Sequence, residues 1–430
     1  VGIRGALVLA LTGALAGAPA PATAGAAATA GAAATAGAAA TRAPGAAATP
    51  LPGVSARAAI LVESGSGQEL YGMSADSRRP IASATKLMTA LVTLEHVQRL
   101  STIFTQNDYI PDAVDSQIGL LPGERMSVHD LMLVLLLPSA DDAAEDLAYN
   151  VGHGSVARFV GMMNARAREL GLSHTHYSTP IGLDTPGNYS SASDLVTLAR
   201  YVLHESPFFK RVVALRRAVV HTGGHVMTIV NRNVLVGKVT WINGVKTGHT
   251  LDAGYVLVGS GTRDGMTLIS AVLGTPSEAA RDTSTLALLH YGFDNFRLRT
   301  PVRRGRVLVR PAVHGRGDLH ANAVAAATFT HVFRRATRVR LRVRAPGEVT
   351  GPLRRDAVVG SVAVVAGGRV VARVPLVLAS AVPAPRTTTA GLDFITRPFT
   401  LVSVVVLIAT LTALVVFARG RVRGKRAEPA

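Results

Sequence analysis

The apolar positions Leu87, Leu91, Leu94 and Val97 recur at steps of three and four, the spacing of one buried helix face. An almost wholly apolar run from Val128 to Leu137, closed by Pro138, predicts a second helix. Ala140–Asn150 and Val156–Leu170 predict two more, the latter amphipathic through Phe159, Met162, Met163 and Ala167 and ending at Gly171. Ser193–His204, with an Asp in its first turn, is a fifth. Ahead of these helices, Ala58–Val62 and Glu69–Tyr71 read as strands joined by the turn-rich Ser64-Gly65-Ser66-Gly67. From Val219 the period changes. Val219–Val220, Val226–Val230, Trp241–Val245, Gly254–Ser260 and Thr267–Leu273 predict strands, and Glu278–Tyr291 a closing helix. Strands, a block of helices, more strands and a last helix point to an α+β domain whose antiparallel sheet is covered by helices. A third pattern follows: Val/Arg alternation over Val339–Arg344, then strands Val358–Val365 and Arg369–Leu378 around Gly367-Gly368, which predict a small β domain.

The flanks carry other patterns. Arg4, an apolar run from Ala6 to Ala16 and small residues beyond it have the form of an export signal over residues 1–20. The hexapeptide Thr-Ala-Gly-Ala-Ala-Ala occurs three times from Thr23 to Ala40, and residues 21–54 are low in large apolar side chains, the composition of a disordered linker. Phe399–Ala418 holds no charge and is long enough to cross a bilayer, and Arg419, Arg421, Arg423, Lys425 and Arg426 follow at once. The positive-inside rule puts residues 419–430 in the cytoplasm and the bulk of the chain outside it. The expected organisation is therefore signal 1–20, linker 21–54, catalytic domain 55–297, basic β domain 298–382, linker 383–398, membrane helix 399–418 and basic tail 419–430.

Length and charge change this picture little. At 430 residues two or three domains are expected, and the formal net charge of +18 would alone suggest nucleic acid. An exported, membrane-tethered chain argues against that partner. Cysteine is absent, which excludes disulfides, a thiolate nucleophile and cysteine metal sites. His174, His176, His221 and His225 have no carboxylate at ligand spacing, so neither a metal nor a cofactor is expected.

Three short motifs carry candidate chemistry: Ser83-Ala84-Thr85-Lys86 at the mouth of the first helix, Ser139-Ala140-Asp141 at the start of another, and Lys246-Thr247-Gly248 at a strand end. Ser83 and Lys86, three residues apart, share the first helical turn, where free N–H groups favour an alkoxide and a neutral amine. Ser83 would attack a carbonyl and Lys86 take its proton. Ser139 would relay that proton to a leaving amine. Lys246 and Thr247 would bind a substrate carboxylate, and Gly248 leaves room for substrate to extend the strand. The backbone N–H groups of Ser83 and His249 would hold the oxyanion. Ser139 and Asp142 also have the spacing of a capping box.

These motifs sit in a longer set: Ala82–Ala90, Pro138–Ala144, Met163-Asn164, Glu169–Gly171, Pro180–Leu183, Ser190–Leu195, Asn231–Asn233, Gly244–Thr250 and Leu288–Phe293. In them the chain resembles the low-molecular-weight penicillin-binding proteins that are serine-type D-alanyl-D-alanine carboxypeptidases, peptidase family S11, from about Ala58 to Phe293. A weaker resemblance, through Gly351–Leu353 and Val374–Leu376, extends to that family's C-terminal domain. The resemblance implies a β-lactamase/transpeptidase-like fold and removal of the terminal D-alanine of peptidoglycan stem peptides through an acyl-serine. It further implies β-lactam antibiotics as inhibitors and Arg281 as a residue that helps hold the substrate's terminal carboxylate.

One position departs. The family's second motif normally ends in asparagine, which touches substrate, and this chain has Asp141. A carboxylate cannot donate unless protonated, and beside Lys86 and Lys246 it favours their charged forms and blunts a lysine base. Two rival readings follow: a β-lactamase-like hydrolase, for which no Glu-x-x-x-Asn loop is found between Asp141 and Lys246, and a catalytically weak, membrane-tethered wall-peptide-binding protein.

Overall fold

The computed structural model of the chain describes residues 53–112, 115–386 and 398–424. The expected signal, most of the first linker and the end of the basic tail lie outside these.

The first domain is organised by a five-stranded antiparallel sheet. Its strands are β1 (Ala58–Glu63), β2 (Glu69–Met73) and, far along the chain, three that the pattern reading made too short. Between them run α1 (Lys86–His96), a small pair β3 (Ile103–Thr105) and β4 (Arg125–Ser127), α2 (Val128–Leu136), α3 (Asp141–Val151), α4 (Val156–Glu169), α5 (Ala192–Glu205), α6 (Pro207–Val213) and a hairpin β5 (Arg217–His221) and β6 (Val226–Val230). Then come β7 (Ile242–Thr250), β8 (Gly254–Arg263), β9 (Met266–Thr275) and α7 (Glu278–Asn295). The sheet order is β2-β1-β9-β8-β7, which leaves β7 as an open edge.

Both faces of this sheet are covered. Ala58, Ile60 and Val62 of β1 join one apolar cluster with residues of α1 to α5, while Ala59 and Leu61 join a second with Leu288, Leu289 and Phe293 of α7. Residues 58–62 of β1 are buried on both faces and apolar at every position, which is why the strand reads as a continuous run rather than an alternation. Serines start the helices: Ser127, Ser155, Ser191, Ser206 and Ser277 each accept a backbone N–H from three residues on.

Two local expectations are corrected. Ser83 does not lie in an α-helical turn: residues Ala82–Thr85 form a 3₁₀ turn, and α1 begins at Lys86. The i,i+3 geometry of that tighter helix still brings Ser83 and Lys86 together. The Ser139–Asp142 capping box does not form. The N-cap of α3 is Ala140, without a side-chain bond, because Asp142 turns to the loop at 118–120 instead.

Beyond α7 the chain is all β. The strands β10 (Phe296–Val302), β11 (Val307–Val309), β12 (Ala312–Val313), β13 (Arg316–His320), β14 (Ala323–Ala325) and β15 (Phe329–Arg334) are followed by β16 (Val339–Arg344), β17 (Glu348–Val349), β18 (Val358–Ala366) and β19 (Arg369–Leu378). Five of them form a sheet in the order β11-β14-β19-β18-β16, whose inner face packs Val362, Val364, Val374 and Leu376 against Val302 and Phe333. A final helix, α8 (Pro398–Gly424), includes 22 residues, Pro398–Arg419, that are long and apolar enough to cross a membrane and are exposed within the protein. It runs past the expected boundary at Ala418 into the basic residues.

Candidate active site

The 3₁₀ turn carrying Ser83 is wedged between the edge strand β7 and the segment Pro180–Gly182. Gly248 of β7 passes so close that a Cβ there would stand 3.0 Å from the Ser83 nitrogen and from the Ile81 carbonyl oxygen. Gly182, at φ +94°, would place a Cβ 2.1 Å from the Ala82 carbonyl oxygen. Only glycine fits at either point. Ala82 (φ 48°) and Ser139 (φ 72°), two of six such non-glycine residues among the described ones, occupy the left-handed region on the segments that present hydroxyls to the site.

Lys86 is fully buried and sits at the centre. Its Nζ lies 2.8 Å from Ser83 Oγ and 3.0 Å from the Ile181 carbonyl oxygen, and it is ion-paired to Asp141 Oδ1. Three acceptors thus surround an amine. The carbonyl and the carboxylate can only accept, so a neutral Lys86, with two N–H bonds and one lone pair, satisfies both and leaves its lone pair for the Ser83 hydroxyl. Burial pushes the Lys86 pKa down; the Asp141 charge and hydrogen bond oppose that shift, and Arg232 adds to it. The expected blunting by Asp141 is therefore real in direction but smaller than desolvation.

Lys246 lies opposite, equally sunk. Its Nζ donates to Ser139 Oγ at 2.8 Å and to the Thr247 carbonyl oxygen at 2.9 Å. Burial first, then the charges of Lys86 and Arg232, hold its pKa well below the lysine value. Both lysines are shifted downwards by burial, and the repulsion between their charges acts on each of them. A carboxylate arriving beside Lys246 favours its charged form.

Ser83, Ser139, Thr247, Gly248, His249 and Arg281 line one cleft of about 470 Å³, with Lys86 and Lys246 buried around it. Asp141 is not on the cleft wall. It is 3% exposed, and its second oxygen accepts the Ser116 N–H at 2.9 Å, so both oxygens are used within the protein and the expected substrate contact is replaced by an internal ion pair. Arg281 is held by Glu278 at 2.7 Å and Asp282 at 2.9 Å, and Glu278 shares the cleft with it. The His249 ring is exposed and stacks on Tyr255, with centroids 4.0 Å apart. With the oxyanion role assigned to its backbone N–H, His249→Ala is expected to leave the penicillin acylation rate within about twofold, as measured by stopped flow, while a loss beyond tenfold would give the ring a role.

Five cleft residues were not singled out from sequence: Ser116, Arg232, Val234, Tyr255 and Glu278. Arg232 stood in the quoted Asn231–Asn233 segment without a role, and Ser116 lies in a loop whose sequence carries no signal.

The profile of the family described as D-alanyl-D-alanine carboxypeptidase, Peptidase_S11, matches residues 45–277. D-alanyl-D-alanine carboxypeptidase DacC of Escherichia coli K12 is 30% identical over 343 residues, covering 76% of this chain and 84% of the relative. The D-alanyl-D-alanine carboxypeptidase of Streptomyces sp. K15 is 34% identical over 257 residues, 56% of this chain and 88% of its own. Among solved structures, penicillin binding protein 5 from Haemophilus influenzae superposes with a TM-score of 0.64 at 28% identity, covering 78% of this chain and 99% of that one.

Proposed function

Because the chain belongs to the D-alanyl-D-alanine carboxypeptidase family S11, whose members act on peptidoglycan peptides and bind β-lactams, we propose that Ser83 is its nucleophile and Lys86 its base. The protein is a serine D-alanyl-D-alanine carboxypeptidase. The observation that carries the residue assignment is the 2.8 Å contact between Lys86 Nζ and Ser83 Oγ at the floor of a cleft that faces an open sheet edge.

The substrate's C-terminal segment lies along β7 as an added strand, its last carboxylate towards Thr247, Lys246 and Arg281. Ser83 Oγ attacks the carbonyl of the penultimate residue while neutral Lys86 takes the hydroxyl proton. The developing oxyanion is held by the N–H groups of Ser83 and His249. The proton passes through Ser139 to the leaving nitrogen, the C–N bond breaks and D-alanine departs. Neutral Lys86 then takes a proton from the attacking water and gives it to Ser83 Oγ as the ester C–O bond breaks, which releases the shortened peptide as its acid and restores the Ser83 hydroxyl. Asp141 acts from behind, as a charge on Lys86.

The domain division at about residue 297 follows the change from the first domain's two apolar clusters to the separate cluster of the second sheet. The chain is anchored by α8, with the catalytic domain on the extracytoplasmic side and the arginines after Ala418 on the cytoplasmic side.

The test is to give the purified chain a D-Ala-D-Ala pentapeptide and, separately, a fluorescent penicillin. Release of free D-alanine and a single labelled tryptic peptide containing Ser83 are expected. A label on another serine would overturn the assignment, and rapid penicillin turnover without D-alanine release would favour the lactamase reading.

A further inference from the structure

The second domain places its charge unevenly. Residues 297–382 hold seventeen arginines, no lysine and three acids. On β16, Arg340, Arg342 and Arg344 alternate with Val339, Leu341 and Val343, so the three guanidinium groups leave one face of the sheet at a spacing of about 6.8 Å. Arg342 stands opposite Ala363 of β18, which stands opposite Arg373 of β19, and this carries the same face two strands inward. All four arginines are exposed, and among the described residues none makes an ion pair or a side-chain hydrogen bond. Two of the three acids are engaged elsewhere, Glu348 with His314 and Asp356 with Arg355.

A charged edge strand guards against strand addition, and that accounts for β16. It does not account for Arg373, which is not on an edge. Guanidinium forks pair two N–H groups with two phosphate oxygens, and an array of them on a flat sheet face matches a layer of phosphates. The chain supplies such a layer: fifteen residues separate Val382 from the apolar helix α8, so that end of the second domain stays within about 50 Å of the bilayer even with the intervening segment fully extended. Tethering at that distance keeps the headgroups at high effective concentration.

We propose that the face formed by Arg340, Arg342, Arg344 and Arg373 docks on the anionic phospholipid headgroups of the membrane that α8 crosses, holding the second domain against the bilayer. This rests on the reading of α8 as a membrane anchor.

The chain has no cysteine, so Ser361→Cys, opposite Arg344 on the same face, gives one labelling site. The full chain, labelled there with a polarity-sensitive dye, is reconstituted into nanodiscs of phosphatidylcholine alone or with phosphatidylglycerol. Failure to co-purify with neutral discs would overturn the anchor itself. With the chain in both discs, a shift of emission to shorter wavelength on phosphatidylglycerol, reversed by sodium chloride and lost in R340E/R342E/R373E with D-alanine release intact, is the expected result. Equal emission on both discs, or a shift that survives the triple variant, would overturn the docking. So would a shift produced by soluble polyphosphate on neutral discs but not by phosphatidylglycerol, which would reassign the face to a wall polyanion.

Discussion

Lys86→Met is expected to slow acylation of Ser83 by a fluorescent penicillin about 10³-fold, the range in which a positioned general base acts. Methionine fills a similar volume but offers no lone pair to a hydroxyl 2.8 Å away in the parent protein. Ser83 would then have to lose its proton to solvent, without a positioned base. The single variant also strands Asp141, a carboxylate 3% exposed, and an unpaired buried charge destabilises strongly. Lys86→Met combined with Asp141→Asn separates the effects: the double variant is expected to regain thermal stability lost in the single one while remaining as slow. If the double variant recovers acylation, Lys86 is not the base.

Asp141→Asn alone is expected to do the opposite, moving the acid limb of the acylation profile towards lower pH and raising the rate on that limb severalfold. The sign follows from which form reacts. Acylation needs neutral Lys86, whose fraction grows as pH rises through its pKa. Burial lowers that pKa and Asp141 raises it, so removing the carboxylate's charge lets desolvation act with less opposition. The limb then moves towards acid, and the gain vanishes at high pH, where Lys86 is neutral in either protein. Rates of penicillin acylation measured across the limb for both proteins decide it; a stationary limb would mean that Asp141 does not set the charge of the base.

Much of the catalytic domain was legible because its helices are long, amphipathic and opened by serine caps, as at Ser127 and Ser191, and because the closing strands carry turn-rich joints. Short elements were not. β3, β4 and α6 run for three, three and seven residues, too few for a period to emerge, and Pro207 at the head of α6 reads equally as a break. At the site, Ser83, Lys86, Lys246 and Ser139 are legible by residue type and order. The Ile181 carbonyl and the Ser116 N–H are backbone groups brought in by loops, and a backbone group has no letter of its own. The orientation of Asp141 depended on the second of them. The helix cap at Ala140 was misread for the same reason: Ser139 is turned towards Lys246 and Asp142 towards Ile118–Leu120, and those destinations are tertiary.

The paired aspartates at the head of α3 also have a mechanical meaning. Asp141 takes the N–H of Ser116, and one oxygen of Asp142 takes those of Ile118, Gly119 and Leu120 at 3.0–3.1 Å. Four amides of a single loop thus terminate on two neighbouring residues of a rigid helix. Such a rim has no easy partial opening, since the three amides that converge on one oxygen must be released together. The wall beside Ser83 is thus tied through four amides to the first two residues of α3, and the first of these is also the ion-pair partner of Lys86.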